Sequence, residues 1–243
     1  MITFSSALFL MIRIKHFFVN IAAWLLLSAC ASHYNISGDL SQGVVKAEKL
    51  YLAVVDDENQ RVFIDSCEIV HGQFSFAGQV DSIVLGHLDV DGATMMPVVI
   101  EQGEVDISVD VFGTGITGGV LNKKLSDYYK ALNVIQQEWV ALYQRRVKLM
   151  RDGTENSKDF EDIMLAEDSL NRATEKLQAD FILENFNNVL GPGIFMMICD
   201  QYPIPMITPQ LRSILNQAPP MFLRHPRISR FIRRAGYVPM NYY

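Results

Sequence analysis

The feature that most restricts this chain is a change of hydrophobic period at its glycine-rich centre. Before Gly113, Val105, Ile107, Val109 and Val111 alternate with Asp106, Ser108 and Asp110. A period of two demands a strand with one buried and one wet face. After Gly119, Leu121, Leu125, Tyr128, Leu132, Ile135, Trp139 and Leu142 fall on one helical stripe. Separate strand and helix segments define an α+β chain. We expect an N-terminal antiparallel β-sandwich or open barrel over residues 30–118, then an α-helical domain over 119–243 built on a long antiparallel helix hairpin.

Within the β region, apolar-rich runs at 44–55, 61–70, 83–89 and 95–100 are separated by polar or glycine-containing turns. His71-Gly72 and Asp91-Gly92 read as hairpin turns, and Gly113 to Gly119 as a joint. The first helix is expected to end near Arg151, with a polar turn from Asp152 to Ser157. Ile163, Ala166, Leu170, Ala173, Leu177 and Phe181 form the stripe of the second. Asn187-Asn188 and Gly191-Pro192-Gly193 should end it, with a short apolar helix at 194–201. Thr208-Pro209 reads as a helix start, and 221–234 as one short basic helix.

The front of the chain reads as an export signal. Arg13 and Lys15 precede an apolar run from Phe17 to Leu27, which is too short to span a bilayer and is interrupted by Asn20. Met11 gives this leader the expected short basic start. Leu27-Ser28-Ala29-Cys30 resembles the lipobox of bacterial lipoproteins, which implies cleavage after residue 29 and diacylglyceryl attachment at Cys30. Residues 1–29 are thus read as a lipoprotein signal peptide, and membrane lipid as the partner of Cys30. Ala31 and Ser32 carry no acid, which points to the outer membrane by analogy with lipoprotein sorting.

Charge and cysteine content bound the function. Net charge is −6 for the 243 residues, and loss of Arg13 and Lys15 with the leader leaves −8, an unfavourable balance for nucleic-acid binding. Cys67 and Cys199 would then sit in an oxidising compartment, where they could form a disulfide or remain as buried thiols.

Chemical motifs are weak. Gly113-Thr114-Gly115-Ile116-Thr117-Gly118 has the spacing of a dinucleotide loop but lacks a buried parallel strand and a βαβ unit, so no nucleotide is expected. Asp56, Asp57, Glu58, Asp89 and Asp91 do not make a twelve-position calcium loop and read as solvated turn residues. His33, His71, His87 and His225 show no metal-binding spacing. Ser66 beside Asp65 lacks a nucleophile elbow. No catalytic residue, metal ligand or cofactor is expected. Arg224, Arg227, Arg230, Arg233 and Arg234 could face lipid headgroups or an acidic partner; a core-covering helix whose arginines are received by acids of this chain is the simpler reading.

Several segments resemble a group of bacterial envelope lipoproteins with an N-terminal domain of unknown function of the 4369 type. They are Tyr34-Asn35-Ile36-Ser37-Gly38, Leu50-Tyr51-Leu52, Ile64-Asp65-Ser66 with Gly72-Gln73-Phe74-Ser75-Phe76-Ala77-Gly78, Ile100-Glu101-Gln102-Gly103, and Thr117-Gly118 with Asn122. In that family a thioredoxin-like or peroxiredoxin-like module often follows, whereas no Cys-x-x-Cys occurs here. The resemblance implies a periplasm-facing envelope protein that binds or scaffolds, with an envelope protein as a partner. The alternative is an accessory to a thioredoxin-like thiol-disulfide oxidoreductase.

Overall fold

The computed structural model describes residues 33–41, 47–90, 93–110, 113–154 and 158–239. The expected leader over residues 1–29, Cys30 and the expected turn at Asp91-Gly92 lie outside the described residues. Eight strands come first: β1 (His33–Asp39), β2 (Lys49–Val55), β3 (Arg61–Glu68), β4 (Gln73–Gln79), β5 (Val84–Val90), β6 (Ala93–Ile100), β7 (Gly103–Asp110) and β8 (Gly113–Thr117). They form two four-stranded sheets, ordered β4-β1-β7-β8 and β3-β2-β5-β6. Ile36, Phe76, Val105 and Ile107 from the first sheet and Leu50, Leu52, Leu88 and Val98 from the second are each 1% exposed or less. The alternation that identifies β7 in the sequence is the alternation that buries it: Val105 and Ile107 point inward, while Asp106 and Ser108 are exposed.

Topology departs from expectation in two places. One pairing is parallel, with β1 beside β7 in the register Ile36 to Val105. Parallel partners need a long crossover, and here the whole of β2 to β6 supplies it. Gly113 to Thr117 is the edge strand β8 and not a joint, pairing Ile107 with Ile116 against β7. Its small residues hide the strand from a hydrophobicity pattern. The His71-Gly72 turn forms as expected, since Val70 and Gln73 exchange both backbone hydrogen bonds at 2.9 and 3.0 Å. The strands on either side then part company, β3 into one sheet and β4 into the other.

Six helices follow: α1 (Val120–Arg151), α2 (Lys158–Glu184), α3 (Leu190–Cys199), α4 (Pro209–Gln217), α5 (Pro220–Leu223) and α6 (Pro226–Arg234). The first two form the expected hairpin. An Arg146 to Glu167 ion pair at 2.8 Å crosses between them. Of the predicted second stripe only Ala173 is exposed. Thr208 caps α4, its side chain accepting from the Leu211 amide at 3.2 Å, with Pro209 at the first helical position.

Two helix boundaries differ from expectation. α3 starts at Leu190, so the Gly-Pro-Gly stretch lies inside its first turn, where proline costs no hydrogen bond. A side chain at Gly193 would meet Leu85 Cδ2 at 2.2 Å, so the glycine serves a close approach of α3 to β5. The expected 221–234 helix is two helices, because Pro226 holds His225 at φ −54, ψ 129. Phe222 of α5 packs edge-on against Phe186 and Phe195 at 4.6 and 5.5 Å, which ties the short helices together. One buried cluster runs from the sandwich into these helices.

Candidate functional site

Tyr34 pairs with Gly78 and Phe74 with Gly38 across β1 and β4. Each aromatic ring lies within 2.9 Å of where the opposite glycine would carry its Cβ, so the ring fills that space. Glu101, 6% exposed, directly follows β6 and accepts from the Asn122 and Leu121 amides at 2.9 and 3.1 Å. A carboxylate thereby satisfies free N–H groups at the start of α1, where the helix dipole favours negative charge.

Asn122 completes this weld. Its Nδ2 donates to the Val99 carbonyl at 2.7 Å and its Oδ1 accepts from the Val99 amide at 2.9 Å. The side-chain amide copies a neighbouring strand and closes the edge of β6. Gly118 and Gly119 turn the chain at φ +82 and +70, and a Cβ on Gly119 would lie 2.1 Å from Glu101 Oε1. These residues fasten α1 to the sandwich.

The outer face of the β3-β2-β5-β6 sheet carries a polar cluster. Asp89 is fully buried beside Arg61 Nη1 at 3.2 Å, yet neither of its oxygens makes an aligned hydrogen bond. This corrects the reading of Asp89 as a solvated turn residue, since it sits inside β5. Nearby His87 has a buried Nδ1 with no partner. Burial depresses the His87 pKa, Asp89 opposes that shift, and Arg61 and Arg227 add to it.

Beside this cluster, a cleft of about 590 Å³ separates the sheet from the C-terminal helices. Val54, Leu85, Phe186, Val189, Met221 and Phe222 make its walls, and Asp56, Asp57, His225 and Arg227 its polar lining. Pro226 sets the end of α6 here, which is how His225 and Arg227 reach the cleft. His225 has a buried Nδ1 without a partner, and burial followed by Arg227 lowers its pKa while Asp57 raises it. Arg227 is fixed by Asn59 Oδ1 at 2.7 Å and Asp200 at 3.4 Å. Arg230 donates to the Asp57 carbonyl. Among the described residues an acidic side chain of this chain thus receives one of the five C-terminal arginines, Arg227, a backbone carbonyl receives Arg230, and Arg224, Arg233 and Arg234 stay exposed, so the expected pairing with acids is met at one position.

Other residues singled out in the sequence are scattered. Cys67 lies half-buried on β3 and Cys199 is buried at the end of α3; both are free thiols, so no disulfide joins them. Burial raises both thiol pKa values, Cys199 more strongly. Asp65 accepts from the Ser66 amide at 2.7 Å on β3. His33 begins β1 and His71 occupies the β3–β4 turn, and neither lines the cleft. Among the described residues no group of three or more His, Cys, Asp or Glu could hold a metal ion, and no helix is long and apolar enough to cross a membrane.

Sequence reasoning missed the cleft, whose lining comes from four separated stretches of chain. The only sequence signal for it was His225-Pro226, a break in a basic helix.

No curated protein and no solved structure matches the chain. Residues 34–125 match the family model described as Domain of unknown function (DUF4369). The sandwich, with the turns of α1 that Glu101 and Asn122 weld to it, is therefore similar to this domain of unknown function over 92 of the 243 residues.

Proposed function

We propose that this protein is an envelope lipoprotein, tethered through an acylated Cys30, whose folded part binds or scaffolds rather than catalyses. The observation that carries the binding role is the cleft of about 590 Å³ with mostly apolar walls and a few convergent polar groups, the usual make-up of a ligand site. An amphipathic ligand fits it: the walls would bury an apolar body while Arg227 and His225 meet a polar or anionic end. Support for the tether is the basic lead, the short apolar run and Leu-Ser-Ala-Cys. Two or three acyl chains on Cys30 would make release negligible, because each buried methylene contributes about 0.8 kcal/mol.

A role beside a thioredoxin-like oxidoreductase is the competing reading. A reactive thiol needs a lowered pKa, whereas burial raises those of Cys67 and Cys199. Binding is therefore the better supported of the two.

Two experiments separate anchor from cleft. C30S should accumulate as an unlipidated precursor, and normal processing of that variant would refute the tether. For the cleft, the purified protein is titrated with 1-anilinonaphthalene-8-sulfonate, an apolar ring system with an anionic end. Binding should weaken at least tenfold in M221D with an unchanged circular dichroism spectrum. A parent protein that ignores the dye, or an M221D variant that binds it equally, refutes the ligand reading.

A further inference from the structure

The α1–α2 hairpin is longer than the body can cover. The buried residues of α1 end at Tyr128, and the twenty residues from Leu132 to Arg151 extend for about 30 Å. Leu132, Ile135, Trp139, Leu142 and Leu149 are half-buried in this stretch. The 3,4 spacing of these residues is the seam that faces α2.

Beside that seam runs another. Val140, Tyr143, Val147 and Met150 are 47%, 56%, 44% and 50% exposed. They are spaced 3, 4 and 3, the repeat that packs one helix into the grooves of another. A polar outer face would be expected on a finished two-helix arm.

Charge identifies what fits this seam. The end of α1 carries Arg145, Arg146, Lys148 and Arg151, and the start of α2 carries Asp159, Glu161, Asp162 and Glu167. Some of these pair within the arm, Arg145 with Asp159 and Arg146 with Glu167. Among the described residues Lys148, Glu161 and Asp162 have no ion-pair partner. An arm with a basic helix beside an acidic one is complementary to itself after a two-fold rotation about an axis along the arm, which brings each α1 toward the acids of the other copy.

We propose that the Val140, Tyr143, Val147 and Met150 seam is the interface of a symmetric dimer, in which two copies of this chain join their arms into a four-helix bundle. Neither the Cys30 anchor nor the cleft enters this inference, so it stands or falls separately from the proposed function.

The test uses the full chain in intact cells with a short bis-maleimide. V147C should give a covalent band at twice the chain mass. V134C should not, because Val134 is exposed but lies nine residues, or about two and a half turns, from Tyr143 and so on the opposite side of α1. In detergent, the purified parent should sediment as a dimer. The V140E/V147E double variant should have at least a tenfold higher dissociation constant at unchanged helical content. The inference is overturned by a monomeric parent, by equal crosslinking from both positions, or by a V147C adduct with a different protein.

Discussion

Asn122 gives the sharpest test of how the sandwich holds its helices. Asn122→Ala removes the acceptor of the Val99 amide and the donor to the Val99 carbonyl, contacts of 2.9 and 2.7 Å on a residue with no exposed surface. β6 is an edge strand, so no neighbouring strand can take over these bonds. Each buried group left without a partner costs about 1–3 kcal/mol, which places the loss at about 2–6 kcal/mol. Total stability for a domain is about 5–15 kcal/mol, so the variant should be severely weakened. Urea unfolding followed by circular dichroism should show the midpoint falling by about 0.7–3 M for a slope of about 2–3 kcal/mol per M. Asn35→Ala is the control: its side chain bonds Glu104 at 2.7 Å on the surface, and its loss should cost about 0.5 kcal/mol or less. An Asn122→Ala variant no weaker than Asn35→Ala would refute the account of the weld.

Three further outcomes follow from the same geometry. Burial depresses the His87 and His225 pKa values below the ordinary 6.5, so the unfolded chain binds protons that the folded chain refuses. Stability should therefore fall as pH drops below about 6.5 and on through the folded pKa values, and His87→Gln should flatten that slope in denaturant midpoints measured against pH. Gly118→Ala places a Cβ 2.0 Å from the Glu104 carbonyl at a φ of +82 and should lower stability by about 2–4 kcal/mol, read by thermal unfolding; a loss under about 1 kcal/mol contradicts the packing. An alkylating thiol reagent should modify half-buried Cys67 before Cys199, which is 2% exposed and should react only as the chain unfolds; mass spectrometry of timed samples finding the reverse order would refute this placement.

Element types were legible where a period is long and regular. The stripe from Leu121 to Leu142 marked α1, and the alternation at Val105 to Val109 marked β7. Thr208-Pro209 was read correctly because a cap is a local device. β8 was missed because Gly113, Thr114 and Gly115 carry no apolar signal and earn their strand only by pairing with β7. Asp89 was misread for a related reason: an acid next to a turn sequence normally meets water, but Arg61 reaches it from a strand two places away in the sheet.

The candidate site was much less visible. Val54 and Asp57, Leu85, Phe186 and Arg227 belong to four stretches spread over more than 170 residues, so no short window of sequence contains them together. The second seam on α1 is a subtler case. Its residues are plain in the sequence, but the pattern does not reveal that α2 covers one side of the helix and leaves the next one bare.

By itself the order of residues determined the local states: which segments extend, which coil, where proline and capping side chains begin or stop a helix, and that Cys30 follows a lipobox-like stretch. Those outcomes depend on neighbours within a few positions. Only the folded arrangement decided that β1 lies parallel to β7, that Glu101 and Asn122 hold α1 against an edge strand, and that a cleft opens beside His225. Such features arise from contacts between distant parts of the chain, whose favourable free energy appears only once both surfaces are formed and water has left them.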